Sequence, residues 1–259
     1  MDKRTCPIGI FDSGVGGISV LRQLIALMPN EDYLFFGDSK NAPYGTKSFE
    51  EVQRLACADA EYLLSKKVKA LVVACNTATS AAIQILRNKY SGMPVIGIEP
   101  ALKPAVLSAS GKKPAVLVMA TPMTLREEKF HQLMMRYEQD ATIIPLPCPG
   151  LMEFVERGEL SGAALEAYLG KLFQAHLRNP VDCVVLGCTH YPFVRDTIQK
   201  MLGDKVAIFD GGGGTARETH RRLAECGLLS PFRARGRVTI ENSSESPEIT
   251  DLCSMLLKI

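Results

Sequence analysis

The sequence predicts an α/β protein of two doubly wound parallel-sheet lobes, and three observations carry that expectation. Short apolar, β-branched runs alternate with helical patterns from one end of the chain to the other. Those runs lack the apolar–polar alternation of half-exposed strands and look like parallel strands covered on both faces. One device also occurs twice. Val72-Val73-Ala74-Cys75-Asn76-Thr77 and Val184-Val185-Leu186-Gly187-Cys188-Thr189-His190 each run a buried-type strand into a cysteine, then into small polar residues and a helical pattern.

Residues 7–11 read as the first strand, followed by the turn Asp12-Ser13-Gly14-Val15-Gly16-Gly17 and a helix to about residue 28. Residues 33–36 form a strand. Residues 48–66 form a helix with Ser48 as N-cap and Glu50 and Glu51 in its first turn. The strand 71–74, the helix 77–90 and the strand 95–98 close the first unit. Pro100 and Pro104 punctuate a short helical stretch, with the crossover between lobes near residues 99–104, and residues 111–114 form a turn. The second unit starts with the strand 115–120 and the helix 123–137, then the strand 142–145 and a loop at Pro147, Pro149 and Gly150. Helices follow near 151–157 and over 161–177, then the strand 181–186, the helix 193–202 and the strand 206–209. Gly211 to Gly214 form a turn that opens the helix 215–226, and segments 238–240 and 247–257 finish the chain.

Bulk properties narrow the function. With 259 residues the chain holds one large or two small domains, and 46% hydrophobic with 22% charged residues is ordinary for a soluble globular protein. Thirty basic and 28 acidic residues give a net charge of +2, which supports no nucleic-acid or polyanion role. Arg233, Arg235 and Arg237 read as a solvated loop before a strand. No long apolar stretch follows the initial charges, and residues 70–86 are too polar to span a bilayer. The expectation is a cytoplasmic protein with no membrane partner.

Eight cysteines occur, at positions 6, 57, 75, 148, 183, 188, 226 and 253. None forms a C-x-x-C pair or a zinc-type spacing, so no metal site is expected. In a reducing compartment most are expected to be small buried hydrophobes. Cys75 and Cys188 are set apart because a strand end with helix amides just beyond favours the thiolate. Open α/β sheets also bind their ligands at that end. Cys183 reads as core, Cys57 and Cys226 as helix residues, and Cys6 and Cys253 as near-terminal ones.

The turn after the first strand places the Asp12 carboxylate either in a cleft or as a helix N-cap. A dinucleotide reading is weak, because Ser19 stands where the third glycine of G-x-G-x-x-G is required, although Asp38 lies at about the right distance for a ribose contact. Gly211 to Gly214 lacks the Lys-Ser/Thr of a phosphate loop, so close backbone packing is expected there. His190, two residues after Cys188, is placed to tune that thiol, to bind a carboxylate or to act as an acid. His131, His176 and His220 fall in helical segments without such context.

Four blocks, taken together, resemble the signatures of the bacterial glutamate racemase family. They are Phe11 to Gly17; Gly37-Asp38-Ser39 with Pro43-Tyr44-Gly45; Ala74-Cys75-Asn76-Thr77-Ala78; and Leu186-Gly187-Cys188-Thr189-His190-Tyr191-Pro192, in family order and across most of the chain. The resemblance implies cofactor-independent proton transfer at the α-carbon of glutamate, supplying D-glutamate for peptidoglycan. Cys75 matches the thiol acting on the D-enantiomer and Cys188 the one acting on the L-enantiomer. Asp12 and His190 match the residues assisting them, and both also match substrate-contact positions. Ser13, Tyr44, Gly45, Asn76, Thr77, Thr121, Thr124 and Thr189 match further substrate contacts. A family glutamate corresponds to Glu153 or Glu156, and alignment to the segment ending in Gly158 favours Glu156. The Gly150-Leu151-Met152-Glu153 stretch and Gly211 to Gly214 depart from the family pattern. The resemblance further implies lobes of residues 1–98 plus 208–259 and 99–207, related by a pseudo-two-fold axis about an active-site cleft, and a homodimer.

The residues support that chemistry on their own grounds. Without an electron-sink cofactor, hydrogen-bond donors at the carboxylate must stabilise a carbanionic transition state. Acid and base must start in opposite states, one thiol and one thiolate. An aspartate or hydantoin racemase shares this paired-cysteine logic. A two-lobed amino-acid-binding protein is the alternative from a different class.

Overall fold

The computed structural model describes residues 2–108, 113–174 and 180–259. The chain divides into two compact units, Met1–Glu99 with Gly212–Ile259, and Pro100–Gly211. In chain order the first unit begins β1 (Ile8–Asp12), α1 (Ile18–Leu27), β2 (Tyr33–Gly37), α2 (Phe49–Ser65), β3 (Ala70–Val73), α3 (Asn76–Lys89) and β4 (Val95–Gly97). The second unit comprises α4 (Leu102–Leu107), β5 (Ala115–Ala120), α5 (Pro122–Arg126), α6 (Glu128–Met135), β6 (Thr142–Pro147), α7 (Leu151–Glu156), α8 (Ala163–Phe173), β7 (Cys183–Leu186), α9 (Arg195–Leu202) and β8 (Ala207–Asp210). The chain ends with α10 (Gly212–Glu225), β9 (Val238–Asn242) and α11 (Pro247–Lys258), which belong to the first unit.

Both sheets are parallel. The first has the order β4-β3-β1-β2-β9 and the second β6-β5-β7-β8. Every residue of β1, β2 and β3 is buried, as is every residue of β7, so their uninterrupted apolar sequences match a strand covered on both faces. Each Val, Leu or Ile there contributes about 1.5–3 kcal/mol by leaving water. Ser48 caps α2, accepting from Glu51 N, as its sequence predicts. No helix of the described residues is long and apolar enough to cross a membrane.

Several expectations are corrected. Residues 208–211, expected in the first lobe, lie in the second unit, where 208–210 complete β8 against β7, and Glu99 lies in the first. The single helix expected over 123–137 is two, because Glu127 is extended (φ −71, ψ 138) and restarts the helix as α6. The strand expected to stop at Pro145 continues through Pro147. Thr142 N donates to Pro114 O, just before β5, at 2.8 Å, and Cys148 N donates to Ala120 O, on the last residue of β5, at 3.0 Å. That alternation aims positions 145 and 147 at the open edge, where proline costs no ladder bond. Gly212 to Gly214 form the first turn of α10 rather than a turn before it. Added Cβ atoms there would meet nothing within 4 Å at Gly214, and only the Arg217 and Gln23 side-chain ends, at 3.4 and 3.9 Å, at Gly213. Close packing therefore does not require glycine at those two positions. Close approach does require it at Gly17 and Gly37. A Cβ at Gly17 would lie 2.6 Å from Asp12 Cβ, and one at Gly37 would lie 2.7 Å from Gly14 O. The C-terminal end of the helix expected over 161–177, the first half of the turn 111–114 and His176 lie outside the described residues.

Candidate active site

Each unit carries one of the two strand-end cysteines, within its own polar cluster. In the first unit β3 ends at Val73, and Cys75 is the N-cap of α3. Its sulfur accepts the Ala78 N–H at 3.4 Å and is hydrogen-bonded to Ser13 Oγ at 3.5 Å. An aimed amide and the positive end of a helix both favour negative charge on that sulfur. Asp12 ends β1 and Ser13 follows it, and both are buried. Asp12 Oδ1 accepts from Gly14 N at 2.9 Å, and its carbonyl accepts from Asp38 N at 2.9 Å. Asp12 is not a helix cap: α1 starts from Gly17 without a side-chain cap.

Asn76 and Thr77 open α3 and are buried. Asn76 Oδ1 has no hydrogen-bond partner among the described residues, so a buried acceptor stands beside the thiol. Tyr44 and Gly45 begin a 3-10 turn that packs against α3. The Tyr44 hydroxyl is committed inward, 2.7 Å from Asp38 Oδ2 and 2.9 Å from Asp59 Oδ2. What this segment offers a ligand is therefore its backbone. Asp38 is likewise turned into the core, with Asn41 Nδ2 also donating to it, and is not presented as a ribose contact.

The second unit is built differently. Cys188 follows β7 by two residues, with Gly187 N donating to Met119 O at 2.7 Å. The helix expected over 193–202 starts only at Arg195 as α9, because a 3-10 turn, Tyr191–Val194, comes first. An imidazole takes the place of helix amides. Cys188 Sγ lies 3.6 Å from His190 Nδ1, and His190 Nε2 lies 2.6 Å from Glu156 Oε1 at the end of α7. Burial opposes charge on the His190 ring, but its hydrogen bonds to Cys188 and Glu156 outweigh this and raise its pKa well above the ordinary imidazole value. A protonated ring donates from both nitrogens, to the sulfur and to the carboxylate. Of the two candidate glutamates, Glu156 makes this contact; Glu153 Oε2 is buried without a partner among the described residues.

Thr121 and Thr124 lie just past β5. Thr121 caps α5, its Oγ1 accepting from Thr124 N at 3.2 Å, and the two hydroxyls are 2.9 Å apart. Thr189 is buried between Cys188 and His190. Thus Asp12, Ser13, Tyr44, Gly45, Cys75, Asn76 and Thr77 belong to the first unit, and Thr121, Thr124, Glu156, Cys188, Thr189 and His190 to the second. His131 and His220 are exposed on α6 and α10. Two further buried groups stand near these elements. Cys148 is buried past β6, and burial raises its thiol well above the ordinary range. Asp59 falls on the buried face of α2 among Leu55, Ala56, Ala60 and Leu63, where an acid at a core position was the available signal. Among the described residues, no three His, Cys, Asp or Glu side chains are placed to hold a metal ion.

The Asp/Glu/Hydantoin racemase family model matches residues 8–219. A glutamate racemase of Clostridium botulinum (strain Alaska E43) is 52% identical over 258 residues, covering 100% of this chain and 99% of that protein. The structure of the Francisella tularensis glutamate racemase in complex with D-glutamate is 28% identical, covers 99% of this chain and 95% of that one, and has a TM-score of 0.85. The Escherichia coli glutamate racemase in complex with L-glutamate and the activator UDP-MurNAc-Ala is 28% identical, covers 98% of this chain and 94% of that one, and also has a TM-score of 0.85.

Proposed function

This chain belongs to the Asp/Glu/Hydantoin racemase family, and from that premise we propose that it interconverts L- and D-glutamate, one of Cys75 and Cys188 taking the α-proton while the other delivers its own proton to the opposite face of the same carbon. The carrying observation is the Glu156–His190–Cys188 chain of contacts, at 2.6 and 3.6 Å, which equips a strand-end thiol for proton transfer. The thiol on α3 has its own device, the Ala78 amide.

One thiolate removes the α-proton. The electron pair left on carbon is delocalised into the carboxylate, and the opposite thiol donates its proton to the other face. Cys188 is the base toward L-glutamate and Cys75 toward D-glutamate. The protonated His190 stabilises the Cys188 thiolate before abstraction, and Glu156 keeps that ring charged. Asp12 assists Cys75. Ser13, Asn76, Thr77, Thr121, Thr124, Thr189 and the backbone at Tyr44 and Gly45 supply the polar contacts that hold substrate, with the unpartnered Asn76 Oδ1 facing a donor such as the ammonium group. The D-glutamate product serves peptidoglycan synthesis in the cytoplasm.

Circular dichroism of D- and L-glutamate incubated with the purified chain tests the reading, with aspartate and a hydantoin alongside. Glutamate of either hand should lose optical activity without added cofactor and faster than the other two. Faster turnover of aspartate or hydantoin would reassign the substrate. Thermal stabilisation by glutamate with unchanged optical activity would make the chain a binding protein. Sedimentation of the same sample tests the expected homodimer.

A further inference from the structure

Tyr44 is 1% exposed, and its hydroxyl contacts two carboxyl groups, Asp38 Oδ2 and Asp59 Oδ2, at 2.7 and 2.9 Å. A phenol owns one proton and cannot serve two buried carboxylates in full; one of the acids must be the donor. The surroundings identify which. Asp38 has Asn41 Nδ2 at 3.0 Å from each of its oxygens, donors suited to an ionised carboxylate. Asp59 sits on the apolar face of α2, and among the described residues no basic side chain pairs with it.

We propose that Asp59 is a positioning residue: as a neutral acid it donates to Tyr44 Oη, Tyr44 donates to ionised Asp38, and this ordered chain holds the Pro43-Tyr44-Gly45 segment against α3 in the substrate-binding conformation. The inference rests on the assignment of Tyr44 and Gly45 as substrate contacts made above. Burial and the neighbouring Asp38 push the Asp59 carboxyl up to about 8, against the opposing Tyr44 hydrogen bond and with a further contribution from Asp12. The charged groups acting on Asp59 are thus Asp38, past β2, and Asp12, on β1; the buried face of α3 from Asn76 to Leu86 carries no charged side chain. Losing the proton would put a second negative charge against Tyr44 and loosen the segment.

Two variants of the full chain decide the matter, Asp59→Asn and Asp59→Leu. The amide keeps an N–H donor for Tyr44 and cannot ionise. D59N should hold its KM for glutamate within roughly twofold of the unmutated protein at pH 7, and should lack the rise in KM that the unmutated protein shows as pH passes about 8. D59L, with no donor, should raise KM roughly tenfold and change kcat less. A second readout needs no turnover. Asp59 binds its proton more tightly folded than unfolded, so it lowers stability progressively as pH rises from about 4 to about 8. The melting temperature of D59N should therefore gain on that of the unmutated chain across that window and level off above it.

Equal KM increases in D59N and D59L would mean that the segment needs an ionised Asp59 carboxylate, which neither variant supplies, and would overturn the proposal. So would a melting difference that stays constant from pH 4 to 8, or superimposable KM–pH profiles for D59N and the unmutated chain. If glutamate were not turned over at all, the functional reading would fail while the melting comparison still located the proton.

Discussion

Cys75 and Cys188 occupy the same kind of place, just past a buried parallel strand, yet the two units treat them differently. Cys75 caps α3 and receives a backbone amide, a fixed dipole that no change of pH removes. Cys188 has a 3-10 turn in front of it and relies on His190, whose charge depends on Glu156 and on pH. A repeated sequence device has therefore been met by two electrostatic solutions, one permanent and one titratable. The difference makes the two thiols separable by experiment.

The largest effects should come from the thiols themselves. Cys75→Ala and Cys188→Ala should each lower glutamate racemisation by roughly 10³-fold or more, measured by circular dichroism, since the proposed two-base scheme needs both thiols as proton carriers. L- and D-glutamate have equal free energies in water. In any partly active variant kcat/KM must therefore fall equally in both directions, and asymmetry between the units can show only in kcat and KM separately.

Next comes the titratable side. Glu156→Gln removes the carboxylate that keeps His190 charged and leaves burial to push the ring toward neutrality. It should lower kcat roughly 10- to 100-fold and move the alkaline limb of the rate profile to lower pH. A profile unchanged in shape would break the comparison, because His190 would then not be the titrating partner.

A stability effect follows with a defined sign. The folded pKa of His190 is raised above its unfolded value of about 6.5, so its contribution to stability is fully present below that pH and is lost as pH rises through the folded value. Melting curves of the unmutated chain and His190→Asn should therefore differ most below pH 6.5 and converge at alkaline pH. The smallest effect should be Ser48→Ala, which removes the N-cap of α2. It should cost about 1 kcal/mol of stability with racemisation retained.

Most of the strands were readable from sequence because buried apolar runs leave local marks. The break at Glu127 left none, since the helical periodicity passes straight through it. Pro145 and Pro147 looked like a strand end because edge status depends on neighbouring strands and not on local sequence. Gly212 to Gly214 looked like a turn because glycine disfavours a helix interior, a cost that tertiary packing of α10 on α1 overrides. The gap of six residues between Cys188 and α9 is set by the 3-10 turn through Pro192, which local propensity does not distinguish from an early helix start. Asp59 was visible as an acid in an apolar stripe, but its partners come from elsewhere in the chain.

Isotope partitioning tests the two-base claim most directly. α-Protio L-glutamate is racemised in deuterated water, and α-deuterium is measured early in both the remaining substrate and the new D-glutamate. With two thiols in opposite protonation states, the product should carry α-deuterium while unreacted L-glutamate stays protiated. Product that retains the original proton, or substrate that exchanges as fast as product forms, would point to a single base and contradict the account.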